Sequence, residues 1–339
     1  MELGQQAAPA SDEVIGRCRR LFEPALRAAV SRLHPWSARM AAFSLGWSDV
    51  DGRPYEGNSG KSVRPAVALL SAEAAGGTAE SAIPAAVAVE LVHAFSLVHD
   101  DIIDHDERRR HRPALWKAYG MGPALLAGDA LLALGVAQLA GDGEAMRYLS
   151  DALVELVQGQ TADMAFEDRP WHGTGAVTTA EYTEMAAGKT GALLGAAAAT
   201  GVVLGGAPEL APRLWEMGRE LGVAFQLADD VLGIWGDPRV TGKPADSDLR
   251  RGKKTYPVLA ALAAGGAPAR ELAALLDDAP GDEEAVRRAA RLVEEAGGRD
   301  AAETLAGRHL SAALATMDAC LPDTAALRAV CDSLIGRIR

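Results

Sequence analysis

An acidic cluster at the end of an apolar run is the clearest candidate for chemistry in this sequence. In LVHDDIIDHDERRRHRP, residues 97–113, aspartates stand at Asp100, Asp101 and Asp104. On a helix, Asp100 and Asp104 share one face, one turn apart. Carboxylates this close repel each other unless a cation lies between them. Such hard oxygen ligands suit Mg²⁺, which keeps several waters and commonly bridges to a substrate phosphate. The spacing therefore predicts a Mg²⁺ site that serves a phosphorylated substrate.

A second acidic pair and most of the lysines complete this pattern. Asp229 and Asp230 close another apolar run, FQLADDVLGIWGD, so we expect both runs to direct acids into one cavity. Only six lysines occur against 28 arginines. Five of the six lie in polar or glycine-containing segments that read as loops, namely Lys61, Lys189, Lys243, Lys253 and Lys254. Because a compact ammonium acts on phosphate as a point charge, these residues predict a site for Mg²⁺ and a diphosphate.

The composition limits the class of protein in which such a site is built. The chain has 339 residues, of which 49% are hydrophobic and 24% charged, as in folded globular proteins. A net charge of −12 makes nucleic acid or an anionic membrane surface a poor partner for the whole molecule. The three cysteines show no metal or disulfide spacing, and no secretory signal or transmembrane segment is predicted. We therefore expect a soluble protein of the reducing cytoplasm.

Helical patterns extend along nearly the whole chain and must position these residues. Ala, Leu, Glu and Arg are abundant, whereas aromatic residues make up only 5%. The runs Ala79–Asp104 and Leu210–Trp235 are apolar nearly all round, which indicates core helices. The run Thr190–Pro208 is rich in alanine and glycine and is predicted to be a buried helix rather than a membrane span.

Capping residues and loop composition outline the remaining elements. Asp282 and Asp323 each precede an amphipathic pattern and are predicted to cap helices. Loops are expected where Gly, Pro, Asp or Asn cluster, at Asp51–Gly60, Arg169–Gly175 and Gly236–Gly252. No linker divides the chain and no strand pattern is convincing. We therefore predict one all-α domain of about a dozen helices over residues 1–339, with residues 1–12 as a flexible tail.

The motifs between residues 60 and 257 resemble those of the trans-isoprenyl diphosphate synthases, the polyprenyl synthetase family. GKSVRP is similar to the family's GKxxRP, and HDDIIDHDERRRHRP is similar to its first aspartate-rich region with the trailing arginine pair. GDALLALG, GKTGAL, FQLADD, TGKP and DLRRGKKTYP follow in the family's order. One such match is weak, but seven in order make chance negligible. The resemblance implies the type I isoprenoid synthase fold, an all-α bundle around a deep apolar pocket, usually in a homodimer.

The resemblance also implies a role for each residue that matches a motif. Three Mg²⁺ ions would be bound by Asp100, Asp104 and Asp229, with Asp101 and Asp230 in support. The allylic diphosphate would be held by Arg109, Lys189, Lys243 and Lys253. Isopentenyl diphosphate would be held by Lys61, Arg64, His93 and Arg110, and the reacting carbons would face Thr190 and Gln226.

These residue types suit ionisation of an allylic C–O bond followed by condensation. Cations neutralise the departing diphosphate and so lower the barrier. The allylic cation then alkylates the double bond of isopentenyl diphosphate, and a proton is lost to the released diphosphate. This reaction requires no Ser-His-Asp or Cys-His nucleophile, and the sequence shows none.

Two other functions stay open at this point. The second motif reads DDVLG, so Gly233 stands where many family members carry an aspartate, which leaves the surroundings of the third Mg²⁺ in question. Asp229–Asp237 also faintly resembles the metal triad of class I terpene cyclases. A cyclase, however, needs no isopentenyl diphosphate site, whereas Lys61, Arg64 and His93 are present. A non-catalytic subunit of a heteromeric synthase typically has degraded aspartate motifs, and these are nearly complete.

The residues just before the first motif bear on product length. In the family, bulky residues there form the floor of the pocket that holds the growing tail. Phe95 and Ser96 stand five and four positions before Asp100, and DDIID carries no two-residue insertion. One aromatic beside a small residue resembles geranylgeranyl diphosphate synthases, whereas one type of farnesyl diphosphate synthase has aromatics at both positions. We therefore expect a product of twenty carbons, with fifteen as the alternative.

Overall fold

Helices make up nearly all of the regular structure. The computed structural model describes residues 10–55, 62–237, 247–277 and 282–335. Within these ranges the α-helices are α1 (Ser11–Val30), α2 (Pro35–Ser44), α3 (Val63–Ala74), α4 (Ile83–Ile103), α5 (Leu115–Tyr119), α6 (Met121–Leu139), α7 (Gly143–Glu167), α8 (Thr179–Ala186), α9 (Ala192–Leu204), α10 (Ala211–Trp235), α11 (Ser247–Arg250), α12 (Tyr256–Ala264), α13 (Gly266–Asp277), α14 (Glu283–Glu295), α15 (Gly298–Cys320) and α16 (Ala325–Ile335). Two-residue strands β1 (Arg108–Arg109) and β2 (Arg112–Pro113) form an antiparallel pair. The all-α prediction is confirmed.

Contacts between residues divide the chain into two compact units that alternate along the sequence. The first unit comprises Met1–Ser150, Ala196–Trp215 and Met317–Val330. The second comprises Asp151–Gly195, Glu216–Thr316 and Cys331–Arg339. Five helices therefore contribute residues to both units, namely α7, α9, α10, α15 and α16. The organisation as one domain stays a prediction.

Helix α4 lies at the centre of the first unit, in contact with α1, α3 and α6. It follows a 3₁₀ turn at Ala79–Ala82, and Pro84 at its start supplies a backbone already set for a helix. Every residue from Ala85 to Val92 is buried, so this half of α4 is a core helix on all sides. The helix ends with Asp104 as its C-cap, and the aspartate motif is thereby fixed at the end of a helix whose first half is fully buried.

Two apolar clusters form the core of the second unit. One packs α11, α12, α13 and α14 around the end of α10 through residues such as Leu249, Val258, Leu272 and Val293. The other surrounds α8 and the middle of α10 with Tyr182, Met185 and Leu227. The second cluster anchors the turn of α10 that precedes Asp229 and Asp230.

Most predicted elements are found where the sequence placed them. The core runs become α4 and α10, and α9 is buried along most of its length. Asp282 accepts a hydrogen bond from the backbone N–H of Ala285 and caps α14. Arg169–Gly175 is irregular, as predicted. No disulfide joins the three cysteines, all of which lie in described ranges, and burial raises the pKa of Cys18 to about 11.

Two boundary predictions are wrong. The expected N-terminal tail included Ser11 and Asp12, but α1 already begins at Ser11 because Asp12 and Glu13 lie in its first turn, where carboxylates favour a helix start. Residues 1–9 lie outside the described ranges. The loop expected at Gly236–Gly252 contains α11. Parts of that loop and of Asp51–Gly60 also lie outside the described residues.

Three helical stretches are apolar and long enough to span a membrane when judged by length and composition alone. They are Ala79–Ile103, Met121–Leu139 and Thr179–Leu204, and their most apolar windows are 61%, 39% and 72% buried within the protein. The stretches Ala79–Ile103 and Thr179–Leu204 are mostly buried inside the protein, which agrees with the prediction that they contain core helices. The absence of a transmembrane segment stays a prediction.

Candidate active site

The three aspartates of the first motif have different surroundings. Asp101 is only 3% exposed, and its Oδ1 accepts a hydrogen bond from Nε of Arg109 at 2.7 Å and forms an ion pair with Nη2 of the same guanidinium at 2.6 Å. Burial raises the pKa of Asp101, and the Arg109 guanidinium opposes that rise. Asp100 and Asp104 lie on the last turn of α4, where both remain partly accessible to solvent. Asp101 therefore fixes Arg109, while Asp100 and Asp104 face towards solvent-accessible space.

A tight turn holds the arginines that follow this motif. Strands β1 and β2 pair Arg109 with Arg112, and the two residues between them, Arg110 and His111, have φ angles of 49° and 65°. This left-handed conformation at both central positions is that of a type I′ hairpin and is unfavourable for residues other than glycine and asparagine. Backbone strain of this kind concentrates at functional sites. Here the turn determines the position of the Arg110 backbone and therefore the point from which its side chain extends.

Predicted ligands of isopentenyl diphosphate gather in the first unit. A cavity of about 60 Å³ is lined by His93, Arg109 and Arg110, together with Glu90 and Asp101. Arg64 lies beside it and donates from Nη1 to Nε2 of His93 at 3.4 Å. Burial lowers the pKa of His93 well below its usual value, and the nearby arginines lower it further, so the ring is neutral at pH 7. The structure thus brings His93, Arg64, Arg109 and Arg110 together.

A buried carboxylate balances this cluster of arginines. Glu90, only 9% exposed, lies one turn before His93 on α4. Burial raises the pKa of Glu90, and the positive charges of Arg64, Arg110 and Arg19 oppose that rise. Arg19, on α1, also donates from Nη2 to Oγ of Ser62 at 2.9 Å. Glu90 and Arg19 are therefore part of the charge arrangement of this cavity.

In the second unit, Asp230 is the centre of a buried hydrogen-bond network. Its Oδ2 accepts from the hydroxyl of Tyr182 in a short hydrogen bond and from the backbone N–H of Tyr256 at 3.0 Å. Its Oδ1 accepts from Nε2 of Gln226 at 3.1 Å. Burial raises the pKa of Asp230 to about 7 against the effect of these donors. Asp229, the residue before it, is exposed at the surface of α10.

The lysine and threonine of GKTG lie on a π-helical turn between α8 and α9. This turn covers Ala187–Gly191, and turns of this type are frequent at functional sites. Nζ of Lys189 forms a short ion pair with Asp163. Oγ1 of Thr190 donates to Oε1 of Gln226 at 2.7 Å, which links the turn to the network of Asp230.

A close backbone approach makes this link possible. Gly222 lies on α10 one turn before Gln226, and a Cβ added there would lie 2.6 Å from the backbone nitrogen of Gly191 and 3.0 Å from the carbonyl carbon of Thr190. Real Cβ atoms do not approach a backbone so closely. Only glycine at position 222 therefore lets the π-helical turn reach Gln226.

Replacing Tyr182 by phenylalanine is expected to lower the free energy of unfolding by about 1–3 kcal/mol, because a buried carboxylate oxygen then loses a donor. Urea denaturation measures the change. Tyr256→Phe is the matched control, since Tyr256 serves Asp230 through its backbone N–H, and it should cost clearly less. Equal losses in both variants would contradict the role given to the Tyr182 hydroxyl.

The donor types of both motifs suit Mg²⁺, although the part of the chain that the structure describes brings no three His, Cys, Asp or Glu side chains close enough together to hold a metal ion. In each, one carboxylate is buried and held by protein donors, Asp101 by Arg109 and Asp230 by Tyr182. The remaining carboxylates, Asp100 and Asp104 in one motif and Asp229 in the other, are accessible. Accessible carboxylate oxygens at a helix end are the ligands that Mg²⁺ takes when it also keeps waters and substrate oxygens. That the two motifs serve one cavity stays a prediction, because they belong to different units.

The remaining lysines divide into three cases. Lys61 and Lys243 lie outside the described residues. Lys253 is half-buried, three residues after the end of α11. Lys254 departs from the interpretation as a phosphate ligand, because it is buried, donates to the carbonyl of Glu167 at 3.0 Å and lies over the ring of Trp171. Burial lowers the pKa of Lys254.

Phe95 and Ser96 are half-buried on α4. The Phe95 ring meets that of His99 edge-on, with 4.7 Å between their centroids, and Nε2 of His99 lies 3.3 Å from the carbonyl oxygen of Leu125 on α6. Ser96 donates to the carbonyl of His93 at 2.9 Å. Phe95 therefore has a defined partner on its own helix. Its role in product length stays a prediction.

Sequence reasoning missed several residues that hold the predicted ligands. They are Arg19, Glu90, Asp163 and Tyr182. Glu90 had a visible signal, since it is the only charged residue between Ile83 and Val98. Charged groups are rarely buried in an apolar helix without a partner. The other three carry no such signal in the sequence.

Comparisons with known proteins agree with the geometry. A family model described as polyprenyl synthetase matches residues 53–293. A (2E,6E)-farnesyl diphosphate synthase of Mycobacterium tuberculosis is 48% identical over 88% of this chain and 84% of its own length. A geranylgeranyl diphosphate synthase of the same species is 41% identical over 93% and 91%. The crystal structure of a polyprenyl synthetase from Streptomyces coelicolor A3(2) superposes with a TM-score of 0.88 at 46% identity, covering 95% of this chain and 99% of that one. The chain therefore belongs to the polyprenyl synthetase family of prenyltransferases.

Proposed function

We propose that this prenyltransferase condenses isopentenyl diphosphate head-to-tail with an allylic diphosphate in a Mg²⁺-dependent reaction. The observation that carries the proposal is that each aspartate motif keeps solvent-accessible carboxylates, Asp100 and Asp104 on α4 and Asp229 on α10, beside a buried one. Bound Mg²⁺ would neutralise charge on the leaving diphosphate. Asp100, Asp104 and Asp229 are the residues that would hold it, and three ions are expected.

The protein's own side chains bind the two diphosphates and contact the reacting carbons. Lys189, which pairs with Asp163, and Arg109, which pairs with Asp101, would bind the allylic diphosphate together with Lys243 and Lys253. Arg64, neutral His93 and Arg110 serve isopentenyl diphosphate with Lys61. Thr190 and Gln226, hydrogen-bonded to each other, face the reacting carbons. Such fixed donors lower the barrier because they need no reorganisation as charge develops.

Product analysis tests the proposal. The purified chain is incubated with isopentenyl diphosphate and dimethylallyl, geranyl or farnesyl diphosphate, with Mg²⁺ or with EDTA. Elongated prenyl diphosphates that form only with Mg²⁺ support condensation. A hydrocarbon or alcohol formed from the allylic diphosphate alone would instead identify a terpene cyclase. No product from any combination would favour a non-catalytic subunit.

For product length we propose twenty carbons, with fifteen as the second candidate. Ser96, a small residue beside Phe95, supports the longer product because only one aromatic then limits the pocket. The shorter product is favoured by the relative of 48% identity, which is named a farnesyl diphosphate synthase. The 41% relative is named a geranylgeranyl diphosphate synthase.

Arg110→Ala is expected to raise KM for isopentenyl diphosphate about 10–100-fold, the cost of one charge-assisted hydrogen bond. KM for the allylic partner should change much less. Steady-state kinetics with each substrate varied in turn measures both. Arg108→Ala is the control, because Arg108 lies in the same hairpin but donates to the carbonyl of His111. Equal effects of Arg110→Ala on both substrates would contradict the assignment, and Lys61→Ala should behave like Arg110→Ala.

We also propose that the chain forms a homodimer. Helix α6 exposes Met121, Leu125 and Leu126, the last with 61% of its surface accessible. In the second unit, α7 exposes Val154, Val157 and Met164, which fall on one stripe of the helix. Contiguous exposed apolar residues mark interaction sites. The expected partner is a second copy, as in the family.

Leu126→Glu is expected to shift the chain from dimer to monomer in light scattering coupled to size exclusion, because it places a charge in the apolar interface. Val50→Glu, which alters an exposed valine on a loop, should leave the mass unchanged. A dimer that persists with Leu126→Glu would exclude this face of α6 from the interface.

The place of action that we propose is the cytoplasm, without a transmembrane segment. The acidic net charge and the sparse cysteines without disulfide support it. Fractionation of expressing cells tests it, since the chain should remain in the supernatant after membranes are sedimented.

A further inference from the structure

Lys254 is a buried lysine whose ammonium has two partners in the protein. It is only 8% exposed, and lysine is rarely buried to this degree without a partner. Its Nζ donates to the carbonyl oxygen of Glu167 at 3.0 Å and lies 4.4 Å from the centroid of the Trp171 ring. Burial lowers the pKa of Lys254, and the negative charges of Glu167 and Asp168 oppose that change. Lys254 is therefore anchored to the protein on two sides.

The first anchor is the C-terminal end of α7. Glu167 is the last residue of this helix, where carbonyl oxygens have no partner within the helix and the helix dipole favours a positive charge. A lysine ammonium at this end satisfies both conditions. Asp163, which forms the short ion pair with Lys189, lies one turn before Glu167 on the same helix. Lys254 is thus tied to the part of α7 that holds Lys189.

The second anchor is the ring of Trp171. This residue belongs to the irregular segment Arg169–Gly175 after α7, and it packs against the apolar cluster that joins α11, α12, α13 and α14. The next residue, His172, pairs through Nε2 with Oδ2 of Asp277 on α13 at 2.8 Å. Tryptophan is the aromatic residue that binds a cation best. The core of the second unit therefore holds the ring that lies under Lys254.

The backbone connects this anchored side chain to Lys253. The N–H of Lys253 donates to the carbonyl oxygen of Asp248 at 2.9 Å, which closes α11. The carbonyl oxygen of Lys253 accepts from the N–H of Thr255 at 3.0 Å, so Lys254 is the central residue of a γ-turn. Helix α11 is a single turn, and so short a helix has little stability of its own. The anchored side chain of Lys254 therefore fixes the segment on which Lys253 lies.

We propose that Trp171 and Lys254 are positioning residues for the allylic diphosphate site. Lys254 joins the end of α7 to the segment that carries Lys253. Because α7 also holds Lys189 through Asp163, this link sets the separation between the two lysines that would bind the diphosphate. The inference rests on the proposed function, which assigns both of these lysines to that diphosphate. It goes further in giving a role to the second lysine of GKKTYP and to a tryptophan that belongs to none of the matched motifs.

Steady-state kinetics with geranyl diphosphate and isopentenyl diphosphate, each varied in turn, tests the proposal. Lys254→Met keeps the length of the side chain and removes the charge. It should raise KM for geranyl diphosphate about tenfold, because a displaced donor binds the diphosphate less well. KM for isopentenyl diphosphate should change less than about twofold.

A conservative variant and a matched control accompany Lys254→Met. Lys254→Arg keeps a cation over the ring and a donor for Glu167, so it should have the parent's KM for geranyl diphosphate. Lys117→Met is the control, since Lys117 also lies over a tryptophan ring, that of Trp116, but is exposed. It should leave both KM values unchanged.

Combination with Lys253→Ala shows whether Trp171 acts by positioning Lys253. Lys253→Ala alone should raise KM for geranyl diphosphate about tenfold or more, as the loss of a charge-assisted hydrogen bond does. Trp171→Leu alone should raise it about tenfold. In the double variant, Trp171→Leu should add less than about threefold, because the position of residue 253 no longer matters once its ammonium is gone. Effects that instead multiply to about a hundredfold would show independent action and would overturn the proposal.

The outcomes distinguish this inference from the proposed function. If Lys253→Ala keeps the parent's KM for geranyl diphosphate, the assignment of Lys253 in the proposed function is wrong, and the positioning role falls with it. If Lys253→Ala raises KM but folded Lys254→Met and Trp171→Leu keep the parent's value, only the positioning role is overturned. Should these two variants not fold, Trp171→Phe replaces them, since its ring stays apolar but binds a cation more weakly. It should raise KM about threefold, and an unchanged KM would overturn the proposal equally.

Discussion

Replacement of Asp229 by alanine is expected to lower kcat about 1000-fold or more while the chain stays folded. Metal polarisation of a leaving group is worth several kcal/mol, and each 1.4 kcal/mol corresponds to about a factor of ten in rate. Asp229 is exposed on α10, so its removal should cost little stability. Asp100→Ala should behave in the same way for the first motif. Steady-state rates at saturating substrates, with circular dichroism and Tm, measure both effects.

Two further variants make this result specific. Glu107→Ala removes a carboxylate seven residues after Asp100 that forms an exposed ion pair with Lys117, and it should leave kcat and Tm nearly unchanged. Asp230→Ala should lower Tm as well as kcat, because it leaves the donors of Tyr182, Tyr256 and Gln226 without their acceptor. Near-normal rates of Asp229→Ala or Asp100→Ala at ordinary Mg²⁺ would show that the metal assignment is wrong.

The backbone of this fold was predictable because it depends on local and periodic features. The unbroken apolar runs that became α4 and α10 could be satisfied only in a core, and Asp282 could cap α14 through a residue three positions away. The aspartates at the end of α4 and in the C-terminal part of α10 were likewise placed by the lengths of the apolar runs before them. The sequence alone also predicted an all-helical prenyltransferase through the order of its motifs.

The side-chain partners of the site were not predictable in the same way. Lys189 meets Asp163 across 26 residues of sequence, and Tyr182 meets Asp230 across 48. Such pairs depend on how the helices pack, and no local pattern in the sequence indicates them. The paired left-handed residues Arg110 and His111 were also missed, because the usual turn residues are absent there and the surrounding structure imposes the conformation.

The difference between Lys253 and Lys254 shows the same limit. Adjacent lysines in a polar segment are equivalent in sequence, and both were expected near phosphate. In the structure, Lys254 is buried over Trp171 while Lys253 is half-buried. The direction of each side chain is set by the backbone between α11 and α12, which composition does not reveal.

Changes at Phe95 and Ser96 are expected to alter the length of the product. Phe95 lies five residues before Asp100, which is about 7–8 Å along the helix. If its ring is the floor of the tail pocket, Phe95→Ala should allow products of twenty-five carbons or longer. Ser96→Phe adds a second aromatic at the same depth and should shorten the product to fifteen carbons. Chromatography of the dephosphorylated products measures the distribution.

The contacts of Phe95 and Ser96 allow the effect of side-chain volume to be separated from other effects of these substitutions. Phe95 has its ring against His99 on the same helix face, so its removal opens space without breaking a hydrogen bond. Ser96→Ala is the control, because it removes the hydroxyl that donates to His93 but adds no bulk, and the product should not change. If Phe95→Ala and Ser96→Phe both retain activity and give the parent's distribution, the floor must lie on another helix. A longer product from Phe95→Ala together with a shorter one from Ser96→Phe would place the tail along this face of α4.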